Sequence, residues 1–114
     1  MAQFLLIARG YGTRPDMSPE EMQRTMLKYK TWTERVAGAG RLAGANKLRD
    51  GEGRVLRQAG GKLSITDGPF AESKEIIGGY WLINAASYDE AVDLTRDHPH
   101  LQGHVLEIRQ IQEM

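Results

Sequence analysis

Two short segments, Phe4-Leu5-Leu6-Ile7 and Tyr80-Trp81-Leu82-Ile83, are apolar at consecutive positions, and a capped helix start follows each. Side chains along a strand alternate between faces, so a continuous apolar run is buried on both sides and belongs in the middle of a sheet. At Ser18-Pro19-Glu20-Glu21 the serine caps, the proline takes the first helical position, and Glu21 can reach back as in a capping box. Ser87-Tyr88-Asp89-Glu90 is a second capping box. Central strands and helix starts in this order leave few ways to build a domain.

Residues 3–8 form the first strand, and residues 9–17, with Gly10, Gly12 and Pro15, form a loop. In the first helix Met22, Met26, Tyr29, Thr33 and Val36 follow helical spacing and predict one buried stripe, and Gly38 and Gly40 end it. Residues 41–48 read as a second strand and 50–53 as a turn. Residues 54–58 and 62–66 read as a hairpin across Ala59-Gly60-Gly61. A strand at 79–85, a helix from 88 to about 97 and a last strand at 104–111 complete the chain.

The order β-α-β, hairpin, β-α-β predicts a single α+β domain over residues 1–114, ferredoxin-like with a hairpin insertion. In that topology the first and third core strands are central, and these are the two apolar runs. Two helices cover one face of a four-stranded sheet, yet both runs carry apolar side chains on the other face. A second copy packed sheet to sheet covers it and gives a dimeric α+β barrel; the hairpin covering part of that face is the alternative.

Composition narrows the function classes. Lys+Arg and Asp+Glu both number 15, so no basic excess invites direct nucleic-acid contact. With no cysteine there are no disulfides, thiolate nucleophiles or Cys-type zinc sites. The apolar run at the N-terminus is too short for a signal peptide or membrane span, which predicts a cytoplasmic protein without membrane contact.

The remaining motif is the loop Asp67-Gly68-Pro69-Phe70-Ala71-Glu72-Ser73-Lys74-Glu75, followed by Gly78-Gly79-Tyr80. An Asp that can bond its own backbone, a permissive Gly and a rigid Pro give a loop of defined shape. This stretch resembles the signature of the YCII-related (DGPF-domain) family, and the order of strands and capped helices extends the resemblance over nearly the whole chain. The resemblance implies a dimeric α+β barrel with a cleft between sheet and helices. Some members are thought to use a His in the first helix and an Asp before a Pro at the end of the second. Here those places hold about Tyr29 and His98-Pro99, with Asp97 one residue off. The resemblance also implies an association with alternative sigma factors in some cases, an accessory role in transcription.

His98 is the natural general acid or base, with Asp67 orienting it or the substrate. The plainer readings are a histidine at a helix C-terminus and an Asx-type turn. Tyr29, Phe70, Glu72 and Arg9 are the substrate-binding candidates; Tyr29 and Phe70 also read as packing residues, and Arg9 as a surface residue or an anion ligand at a strand end. His98, His100 and His104 cluster, but their spacing matches no established zinc pattern, so no metal and no cofactor is expected. Two functions stay open: a cofactor-independent isomerase or lyase acting on a small organic molecule, and a non-catalytic homodimer that binds a small ligand or a protein.

Overall fold

The apolar runs do lie side by side at the centre of a sheet. The structure, a computed structural model, describes residues 1–12, 14–68 and 76–114. The elements are β1 (Ala2–Arg9), α1 (Pro19–Gly38), β2 (Leu42–Lys47), β3 (Arg54–Ala59), β4 (Lys62–Asp67), β5 (Ile77–Ala85), α2 (Tyr88–Thr95) and β6 (Val105–Gln110), with a 3-10 turn at Pro99–Leu101. The main sheet is antiparallel with order β2-β5-β1-β6, the ferredoxin-like arrangement.

Register explains the two faces. Phe4 pairs with Ile83 and Leu6 with Trp81; these four side chains are buried against the helices. Each such side chain contributes about 1.5–3 kcal/mol on burial. Leu5 pairs with Leu82 and Ile7 with Tyr80 on the opposite face, where all four are only partly buried. No helix of the described residues is long and apolar enough to cross a membrane.

Both helix starts form as their sequences dictate. The Ser18 hydroxyl accepts from the Glu21 amide and the Ser87 hydroxyl from the Glu90 amide, at 3.1 and 3.2 Å. The Glu90 carboxylate accepts from the Ala86 amide and the Arg41 guanidinium, which together hold it below the usual carboxylate range.

Two expectations need correction. The buried residues of α1 are Trp32 and Val36, with Thr25, Tyr29 and Thr33 half-buried beside them; Met22 and Met26 are about 40% exposed. Tyr29, Thr33 and Val36 lie on the inward face as expected, but its most deeply buried large residue is Trp32, which the spacing did not mark. The hairpin β3–β4 forms a separate two-stranded sheet, and nearly all its residues are exposed, so it does not cover the open face of its own chain.

Candidate functional site

A cleft opens where the inner face of the sheet runs out of large side chains. Phe4, Leu6, Trp81 and Ile83 fill one end, but the inward positions beside and beyond Trp81 are Ala45, Ala8 and Gly79. Helix α1 spans that gap without filling it. The resulting cavity of about 220 Å³ is lined by these small residues together with Met26, Tyr29, Trp81 and His100. Its glycines are required by close approach. A Cβ on Gly78 would lie 2.5 Å from the Gly10 carbonyl oxygen, and one on Gly12 would lie 2.5 Å from the Tyr29 hydroxyl.

Three elements meet at the back of the cleft. The Tyr29 hydroxyl of α1 lies 2.7 Å from Nδ1 of His100, in the turn after α2. His100 Nε2 lies 2.8 Å from the main-chain carbonyl of Arg9, at the end of β1. A carbonyl only accepts, so Nε2 carries the ring proton and Nδ1 is the lone pair to which Tyr29 donates. The direction of the whole chain is thereby set: hydroxyl to imidazole to carbonyl. Tyr29 is half-buried and faces the cavity, whereas His100 is 1% exposed and sits behind it. Burial pushes the Tyr29 phenol up to about 12. Burial also pushes His100 down, against the partial support of the Arg9 carbonyl. Both groups are therefore neutral at physiological pH.

His98 supports this arrangement from behind. Its Nδ1 accepts from the His100 amide at 3.0 Å, capping the 3-10 turn, so its own ring proton sits on Nε2. Nε2 is buried with no hydrogen-bond partner among the described residues. The ring is held edge-on to Trp81 at 4.2 Å and tilted against Trp32 at 4.3 Å between centroids. Burial among these aromatics, with the neighbouring His100, pushes it down to about 3. Asp97 ties the same turn to α1, accepting from Trp32 Nε1 at 3.2 Å and pairing with Arg35 at 2.6 Å. Arg35, then Trp32, hold its carboxyl below the usual range.

The expected dyad of His98 and Asp67 is not assembled. His98 is 2% exposed and caged, while Asp67 ends β4 with its side chain 93% exposed and paired with Arg54 at 3.3 Å. His98 does not continue α2 either: the helix stops at Thr95, and His98 is extended with φ −63° and ψ 130°. Tyr29 faces the cleft, but its partner is His100, with the His98 ring 5.9 Å away. The Arg9 side chain reaches Glu107 at 3.7 Å, and its carbonyl enters the site. Phe70 and Glu72 lie outside the described residues. His100 entered the sequence reading only as one of three clustered histidines. No spacing rule marks it, because its partners are 71 and 91 residues away along the chain. Among the described residues no group of three or more His, Asp or Glu is placed to hold a metal ion.

The profile of the YCII-related domain matches residues 4–114. The chain belongs to the YCII-related family. A relative from Rhizobium meliloti (strain 1021), itself described as an uncharacterised protein, is 38% identical over 81 residues. That match takes in 70% of this YCII-related chain and 65% of the relative. Among solved structures, the fold is similar to 5-chloro-2-hydroxyhydroquinone dehydrochlorinase from Burkholderia phenoliruptrix, seen in complex with 2,5-dihydroxybenzoquinone. The TM-score is 0.53 at 14% identity, over 98% of this chain and 95% of that one, a likeness of fold.

Proposed function

We propose that this protein is a cofactor-independent acid–base enzyme of isomerase or lyase type, acting on a small, flat, oxygenated ring in the cleft. One observation carries the reading: a tyrosine hydroxyl on the wall of an apolar cavity, hydrogen-bonded to a buried imidazole of fixed tautomer. The cavity of about 220 Å³ is smaller than the pockets of about 300–1,000 Å³ that hold drug-sized ligands, and suits a single ring. Tyr29 and Trp81 stack at 6.0 Å with 16° between planes, and both face the cavity, offering a flat aromatic wall. The ligand named for the fold neighbour, 2,5-dihydroxybenzoquinone, is of this size and shape.

In this mechanism Tyr29 is the catalytic residue, because it touches the ligand. As an acidic C–H or O–H of the ligand gives its proton to the Tyr29 oxygen, the phenol proton passes to His100 Nδ1, and the Arg9 carbonyl holds the Nε2–H of the resulting imidazolium. Reversing the transfer at another atom of the ligand completes an isomerisation with no net proton change. Delivery to a departing group completes an elimination. Neither resting partner is charged, so binding an uncharged ring leaves no buried charge unpaired. We also propose a homodimer as the working form, with the open face of Leu5, Ile7, Tyr80 and Leu82 packed on a second copy.

Incorporation of solvent deuterium at carbon, into a panel of small cyclic diketones and hydroxyquinones, tests the reading. Exchange catalysed by the wild type, and at least tenfold slower in Tyr29→Phe, is expected. Binding detected by Trp81 fluorescence without exchange on any panel member would instead leave a ligand-binding protein.

A further inference from the structure

The hairpin is a two-faced ribbon. Its register pairs Arg54 with Asp67, Leu56 with Ile65 and Gln58 with Leu63, so these residues share one face. The other face holds Val55, Arg57, Ala59, Lys62, Ser64 and Thr66. Leu56, Leu63 and Ile65 are thus gathered on one side, and they stand 60%, 59% and 60% exposed. The opposite side is mostly polar. Such alternation is what a strand pair shows when one face is meant to be covered. A lone two-stranded hairpin is at best marginally stable in water and needs something to pack against. This one is separate from the main sheet, and the chain's radius of gyration is 16.1 Å, against about 13 Å for a compact domain of this length.

The chain carries a second apolar surface that is only partly buried, the outer face of the main sheet with Leu5, Ile7, Tyr80 and Leu82. We infer that the ribbon is an arm that clasps a second copy of this chain, laying Leu56, Leu63 and Ile65 along the edge of the joined sheets. The inference rests on the homodimer proposed above and adds the element that secures it. Three side chains fall short of the roughly 800 Å² per partner that a stable interface buries, so the arm does not suffice alone. In this proposal a twofold axis brings each arm onto the partner, so that arm and sheet face are covered on both copies at once. A formal net charge of zero leaves apolar fit, rather than charge, as the selecting feature.

The test compares the wild type with a Leu56→Asp, Ile65→Asp double variant by light scattering across a dilution series. The dimer dissociation constant is expected to rise at least tenfold, with the circular dichroism of the core unchanged. Because the natural chain has no cysteine, Leu63→Cys gives a single maleimide site, and Arg57→Cys on the polar face is its control. Leu63→Cys should label slowly at dimer concentrations and rapidly on dilution, and this readout decides if the double variant does not fold. A double variant that dimerises as tightly as the wild type overturns the arm. So does Leu63→Cys labelling as fast as the control at every concentration, or staying protected at every dilution, as it would if folded onto its own chain. A dimer broken by Leu5→Glu but not by the arm variant leaves the homodimer standing without the arm, and a monomeric wild type removes both.

Discussion

Tyr29 owes its role to what surrounds its hydroxyl. Gly12 leaves room for it, His100 accepts from it, and Trp81 flanks its ring. Gly12→Ala would place a methyl carbon 2.5 Å from that oxygen, so the hydroxyl has to shift. We expect the variant to fold but to lose at least tenfold in deuterium exchange, with most of the loss retained even at saturating substrate. His98 matters instead for stability. Its folded value of about 3 lies below the ordinary 6.5, so between those limits the unfolded chain binds a proton that the folded chain does not. Its contribution is complete above about pH 6.5 and is lost as pH falls toward 3, at a limiting slope of about 1.4 kcal/mol per pH unit. Urea unfolding from pH 7 to pH 4.5 should show at least that slope, since His100 is pushed down in the same direction, and His98→Asn, which keeps an acceptor for the His100 amide, should reduce it. The sequence marked Tyr29 and His98 as residues to watch. It could not reveal that the hydrogen-bond partner is His100, because a histidine two positions along a turn has no periodicity to report its direction.

At the scale of elements, the helix starts were legible because capping is local: Ser18 and Ser87 each bond the amide three residues on. Ser18→Ala should lower unfolding free energy by about 1 kcal/mol, measured by chemical denaturation, without changing exchange kinetics. The face of α1 was legible only in part. Met22 and Met26 fit a helical stripe by spacing, yet α1 bridges the cleft at Met26 and the sheet beneath offers only small residues there. Trp32 decides the true face, where it packs against Trp81 at 5.9 Å and against the caged His98. Trp32→Ala should therefore cost about 3–5 kcal/mol in unfolding free energy, because it opens a cavity beside a buried imidazole.

For the whole molecule, two strands apolar on both faces and two capped helices were enough to predict the topology and its central strands. The hairpin was visible too, but its separateness was not, since alternation says that a face is covered without saying by what. The position of the cleft follows from the absence of large side chains at Ala8, Ala45 and Gly79, a feature that becomes readable only once register aligns the strands. The account stands on the relay from Tyr29 through His100 to the Arg9 carbonyl, and the nitrogen chemical shifts of the His100 ring test it most directly. The prediction is an Nε2–H tautomer at neutral pH, with an Nδ1 resonance that moves when Tyr29 is replaced by Phe. An Nδ1–H tautomer, or an Nδ1 resonance indifferent to Tyr29→Phe, would contradict it.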